Sequence, residues 1–274
     1  MNQRLDLINR IVSELGPIFS VEQAHPVAKD LGLTESQLRW DLSHLAHSGW
    51  LVRLKRGLYA VQPPLNGSDL HPFAVAAALV QPSAISHWSA LAHHGLTTQI
   101  PPMVQASTTR SVVTPEMRKG KAHRPRGHAV WNVLNCEYEF ITVRPKSWFG
   151  FQQEWVSQWH RVFITDPERT LLDMFAHPGV FGSIRSGIET LQRSIDLLDL
   201  ERMIRYALRY QVGALIKRLG WTLETLGVPE SVYEPLREFP VRNVYRLDAA
   251  GPASGSLVLN WKGRNNLLPA ENHR

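Results

Sequence analysis

The stretch that decides the fold of the N-terminal part is TESQLRWDLSHLAHSGWLVRLKRGLYAV, Thr34 to Val61. Leu38, Leu42 and Leu45 recur at i, i+4 and i+7, which sets them on one stripe of a helix. Thr34 with Gln37 has the spacing of a capping box at its start. Gly49 supplies the left-handed residue that closes a helix. Beyond it, Val52, Leu54, Leu58 and Ala60 alternate with Arg53 and Tyr59 around a Lys55-Arg56-Gly57 turn, the pattern of a short hairpin. Opposite the leucine stripe lie Ser36, Trp40, Ser43 and His47, with Arg39 and His44 on the flanks. The acids Glu35 and Asp41 fall at angles nearer the leucines, so the outer face is expected to carry donors and no acid. A tryptophan on such a face forgoes apolar burial unless it meets a partner: DNA, or a neighbouring domain.

Working outward, Leu5, Ile8, Val12 and Leu15 mark an amphipathic first helix that stops at Gly16-Pro17. Ser20 with Gln23 repeats the capping-box spacing; Pro26 is expected in the first turn of the continuous helix that follows. Helix, helix, turn, helix and hairpin predict a winged helix-turn-helix over residues 1–62. Residues 63–72, within QPPLNGSDLHP, have linker composition. Residues 73–274 read as a mixed α/β domain with a C-terminal helical portion, so the chain as a whole is α+β. Its expected helices are FAVAAALV, SHWSALAHHG and TDPERTLLDMFAHPG, then Ile184–Ser194, Leu200–Tyr210 and Val212–Leu226. Its expected strands are PMVQAST, EYEFITVRP, Trp148–Phe151 and HRVFIT, with short ones near Val244–Leu247 and Leu257–Asn260.

The composition, 43% hydrophobic and 20% charged over 274 residues, is that of a folding chain. The main apolar run, Phe73 to Val80, is far too short to cross a bilayer. The first ten residues lack the apolar core of a secretory signal. A cytoplasmic protein without a membrane partner is expected. With Cys136 as the one cysteine, an internal disulfide and a Cys-based zinc site are excluded. The net charge of +6 is uneven: Lys and Arg against Asp and Glu stand at 7 to 6 in residues 1–62, 8 to 4 in 63–150 and 15 to 14 in 151–274. The excess gathers in RKGKAHRPRGH, Arg118 to His128, where Arg118, Lys119, Lys121, Arg124 and Arg126 form a second candidate DNA contact.

These features point to double-stranded DNA. Ser36, Arg39, Trp40, Ser43 and His47 would present the third helix to the major groove. Arg53, Lys55 and Arg56 would hold the flanking phosphate backbone, which positions a protein and carries little sequence information.

Taken together, SGWLVRLKRGLYAV, ISHWSALAHHGLTTQIPPMVQAST, RVFITDPERTLLDMFAHP and YRLDAAGPASGSLVLNWKGRNNL resemble the AbiEi family of antitoxins, across most of the chain. The resemblance implies a bacterial autorepressor whose winged helix binds inverted repeats at its own promoter. It also implies a C-terminal domain that supports antitoxicity and cooperative DNA binding. The partner it implies is a nucleotidyltransferase-like toxin, countered without a stable complex. A stand-alone transcriptional regulator that shares the architecture is the nearest alternative.

An enzyme is the alternative from another class. Asp166, Glu168 and Asp173 are close enough in sequence to suggest a Mg²⁺-dependent, DNA-targeted nuclease. A helix N-terminus also explains them, with Thr165 and Glu168 spaced as a capping box. His87 and His94 are two helical turns apart, too far for one ion. Cys136 is expected in the core. Trp131, Trp148, Trp155 and Trp159 are expected in the core or an interface. No catalytic residue, metal site or cofactor is assigned.

Overall fold

The structure, a computed structural model, describes residues 2–63, 70–120 and 127–267. The chain begins α1 (Asn2–Leu15), β1 (Ile18–Ser20), α2 (Val21–Asp30), α3 (Glu35–His47), β2 (Leu51–Lys55) and β3 (Leu58–Val61). It continues with α4 (Pro72–Leu79), β4 (Ala84–Ile85), α5 (His87–His93), β5 (Met103–Thr108), α6 (Pro115–Arg118), β6 (Ala129–Val133), β7 (Cys136–Thr142), β8 (Phe151–Trp155) and β9 (Arg161–Thr165). Helices α7 (Pro167–Ala176), α8 (Ile184–Ser194), α9 (Leu200–Tyr210), α10 (Gly213–Thr225) and α11 (Glu230–Glu238) come next. Strands β10 (Tyr245–Arg246), β11 (Ser256–Val258) and β12 (Gly263–Asn265) complete the α+β chain. Two compact units emerge. The first gathers residues 1–85, 102–142 and 153–164; the second gathers 86–101, 143–152 and 165–274.

In the first unit, Leu7, Ile8 and Ile11 of α1 pack with Ala24, Val27 and Ala28 of α2 and with Leu38, Leu42 and Leu45 of α3. Both expected capping boxes form: Ser20 with Gln23 on α2, and Thr34 with Gln37 on α3. Helix α2 runs unbroken through Pro26, so the proline does not open the helix. Its ring removes the N–H that Glu22 would bond, and Glu22 is on the exposed side, where water can meet that carbonyl. Helix α3 ends in a Schellman motif: Gly49, at φ +80°, and Trp50 donate to the carbonyls of Ala46 and Leu45. Three helices and the β2–β3 hairpin, in this order, are the plan of a winged helix-turn-helix.

The hairpin differs from its sequence pattern. Strand β1, too short to show in the sequence, pairs with β3, making β3 the central strand and burying all four of its residues. Tyr59 therefore turns inward, stacked on Phe19 with ring centroids 6.2 Å apart, instead of facing out with Arg53. Between Arg53 and Lys55 the register slips, so that Leu54 is an extra residue in β2. Such a bulge breaks strict two-residue alternation.

The rest of this unit is a mixed sheet in the order β6-β7-β5-β4-β9-β8. β5 and β7 run parallel, Met103–Thr108 against Glu137–Thr142. Buried Gln105 donates to Glu139 across that pairing at 2.6 Å. β6 and β7 form a hairpin whose turn residues, Leu134 and Asn135, both sit at left-handed φ. The sequence pattern missed β4 and β6. Phe151 begins β8, whereas Pro145–Ser147 form a 3-10 turn, so the strand expected at 148–151 starts later. Trp131 is in the core, Cys136 is half-buried and Trp155 is exposed.

The second unit is helical, with α7 at its centre; residues 168–175 of α7 are all buried. The N-cap of α7 is Asp166, accepting from Arg169 N at 2.8 Å, and not Thr165. Asp166 is the better cap because its carboxylate meets the positive end of the helix dipole. Glu168 does not close a capping box either. It accepts from Asp199 N, the N-cap residue of α9, at 2.8 Å. Arg169 is buried and fully engaged. It donates to Asp173 at 3.0 Å, to the carbonyls of Ser147 and Phe149 at 2.8 and 2.7 Å, and to Tyr210 Oη at 3.4 Å. Replacing Arg169 with methionine would leave Asp173 buried without its counter-charge. A denaturant melt of Arg169→Met is expected to show a loss of about 3–5 kcal/mol; a loss under 1 kcal/mol would mean that the pair is dispensable.

Candidate nucleic-acid interface

Helix α3 owes its two faces to the leucine period. With Leu38, Leu42 and Leu45 buried, Ser36, Arg39, Trp40, Ser43 and His47 are all exposed. Trp40 is 60% exposed, unusual for so large an apolar ring. It is held from two sides: the guanidinium of Arg4 lies 4.5 Å from the ring centroid, and the His44 ring stacks on it at 5.6 Å. Arg4 is fixed in turn by Asp41, at 2.6 Å. Neither Arg4 nor its link to Asp41 was apparent in the sequence, because the two residues are 37 positions apart. The indole is thus presented rigidly, at a low entropic cost for contact.

The outer face is not free of acid. Glu35 is exposed and pairs with Arg39 at 2.7 Å, one helical turn away. Glu35 is the first residue of α3, and one turn separates it from Arg39, so the two carry matched charge on the same edge. The Arg39 guanidinium holds the Glu35 carboxyl below its ordinary pKa. His47 Nδ1 lies 2.7 Å from the Ser43 carbonyl, so that nitrogen carries the proton, and Nε2 of the neutral ring is an acceptor.

The wing cations divide. Arg53 and Arg56 are exposed. Lys55 is half-buried and donates to the carbonyls of Ala78 and Leu79 at 3.1 and 2.7 Å, the last turn of α4. It neutralises a helix C-terminus, where a cation is favoured, and burial pushes its pKa down. Lys55 is therefore a fastener between the wing and α4. In the second basic segment, Arg118 and Lys119 are exposed at the end of α6, whereas Lys121, Arg124 and Arg126 lie outside the described residues.

The carboxylates that suggest a nuclease have structural partners: Asp166 caps α7 and accepts from Tyr206 at 2.9 Å, Glu168 bonds α9, and Asp173 pairs with Arg169. His87 is buried at the start of α5, stacked on Phe181 at 5.6 Å, and His94 Nε2 lies 2.6 Å from the Thr165 carbonyl.

The two wing cations can be separated by measurement. Arg56→Ala is expected to lower the slope of log affinity against log salt by about 0.9 on any duplex. Lys55→Met is expected to lower the melting temperature and to leave that slope unchanged. Equal slopes for Arg56→Ala and the parent would remove Arg56 from the interface.

The chain is similar in fold to the RV2827C protein from Mycobacterium tuberculosis, with a TM-score of 0.63 at 16% identity, covering 96% of this chain and 91% of the other. No curated protein matches the sequence. Residues 6–62 match the family described as "Transcriptional regulator, AbiEi antitoxin", so over that segment the resemblance to AbiEi antitoxins is shown.

Proposed function

We propose that the chain is a sequence-specific DNA-binding autorepressor, acting in the cytoplasm as antitoxin to a nucleotidyltransferase-like toxin. The observation that carries the DNA part is the outer face of α3, where Trp40 is held out by Arg4 and His44 among exposed Ser36, Arg39, Ser43 and His47. Hydroxyls, a guanidinium and an imidazole are groups that read base edges, and the thymine methyl offers an apolar surface to the indole. Arg53 and Arg56 flank this face as phosphate contacts, and Lys55 keeps the wing in place. Arg118 and Lys119 are candidates for a further contact with the backbone. The autorepressor and toxin parts rest on the family described for residues 6–62.

Glu35 gives the reading a specific character. A carboxylate beside Arg39 repels phosphate and accepts from the cytosine amino group, so it lowers affinity for DNA in general more than for a matching site. A single module of this size buries roughly 600–1,000 Å² on DNA, so selective repression would draw on a second copy on the other half of an inverted repeat.

Mobility-shift titrations on the chain's own upstream region test this. Trp40→Ala is expected to lose roughly 1–3 kcal/mol on the operator, the usual worth of one base contact, and little on unrelated DNA. Glu35→Gln is expected to bind unrelated DNA several-fold more tightly. Absence of any selective shift for the unaltered chain would sink the proposal.

A further inference from the structure

Behind the wing, within the first unit, lies a cavity of about 520 Å³. It is lined by Lys55 and Arg56 of the wing turn, by Ser20, Glu22 and Gln23 at the start of α2, by α4, and by Trp159 to Val162. Its polar groups can be sorted by the bonds they already make. Ser20 and Gln23 engage each other in the capping box. Lys55 serves the α4 carbonyls. Glu22 is the acid among the lining residues, and it is exposed.

Apart from the Gln81 amide, which can donate or accept, the other polar groups are donors. Arg56 and Arg161 are exposed and make no hydrogen bond or ion pair among the described residues. Ser157 Oγ accepts from Trp159 N at 3.2 Å and from His160 N at 3.1 Å, which leaves its own proton for His160 Nδ1 at 3.1 Å. A neutral imidazole that accepts at Nδ1 carries its proton on Nε2. That neutral form is favoured, because burial, with His71 nearby, holds the His160 pKa below its ordinary value. Both His160 Nε2 and Trp159 Nε1 are buried and have no acceptor in the structure. Orphaned buried N–H groups are rare in folded proteins and ask for an explanation.

Two unpaired guanidinium groups and two orphaned ring donors complement an oxygen-rich anion. The volume is that of a small-ligand pocket, typically about 300–1,000 Å³, and exceeds what one ordered water needs. We propose that this cavity binds a phosphate group, bridging Arg56 of the wing to Arg161 of β9, with the ring N–H groups of Trp159 and His160, buried in its wall, turning to donate to its oxygens when it binds. Two sources share that chemistry: a free phosphorylated small molecule, such as a nucleoside monophosphate, and the backbone of bound DNA. The volume, which is that of a small-ligand pocket, favours the first. The site shares Arg56 with the wing contact proposed above, whereas Trp159, His160 and Arg161 lie apart from the outer face of α3, so their response can fail or hold without that reading.

The test uses the full chain labelled with ¹⁵N-tryptophan, with the Trp159 indole N–H resonance assigned from a Trp159→Phe spectrum. Inorganic phosphate and AMP are expected to shift that resonance saturably, whereas adenosine is not. Arg161→Ala, a change at an exposed position, is expected to weaken AMP at least tenfold while the other indole signals stay in place. Movement with a DNA duplex but with neither phosphate nor AMP, lost in Arg161→Ala, would keep the phosphate site and assign it to the DNA backbone. If no probe moves the resonance, or if Arg161→Ala and Arg56→Ala both bind AMP like the parent, the proposal is overturned.

Discussion

Helix C-termini leave carbonyls without partners, and at α4, α7 and α11 this fold meets that constraint with buried or half-buried cations. Lys55 closes α4 at Ala78 and Leu79. Lys217 closes α11 through the carbonyls of Leu236 and Arg237 at 3.0 and 2.7 Å. Arg218 reaches the Phe175 carbonyl near the end of α7 and the Arg246 carbonyl. Arg169 does the same for the Ser147–Phe149 turn. In each case a charge that would be costly to bury alone is solvated by backbone oxygen, and the oxygen by the charge. Each cation therefore ties two segments of one unit that are distant in sequence.

This has a bearing on how the chain's basic character is understood. The net charge of +6 suggests a surplus on offer to a polyanion, yet several of the cations behind it are internal. Those turned to solvent near the outer face of α3 are few, and one of them, Arg39, is matched by Glu35. On the proposed reading, binding would rest less on general attraction to DNA and more on shape and local contacts.

What could be read in the sequence was local. Capping boxes, the Gly49 stop and the leucine stripe of α3 depend on residues within a turn or two of each other, and they fixed the outward set Ser36, Arg39, Trp40, Ser43 and His47. What could not be read depended on distant partners. Three-residue β1 has no periodicity of its own, yet its pairing with β3 is what turns Tyr59 inward. Glu35 was set near the leucines by its angle on a helical wheel; being in the first turn, where no neighbouring helix covers it, the side chain is free to swing to Arg39. Lys55 resembled Arg56 because nothing in KRG says which cation has α4 beneath it. The cavity donors are of the same kind: Trp159 and His160 are far from the wing in sequence and share a wall with it only after folding.

The slipped register in β2 has a consequence of its own. In a regular strand Arg53 and Lys55 would share a face, and both would be answerable to the same neighbour. By seating Leu54 as an extra residue, the strand gives the two cations separate environments. The bulge, and not the identity of the charged residues, therefore assigns one to solvent and one to the scaffold.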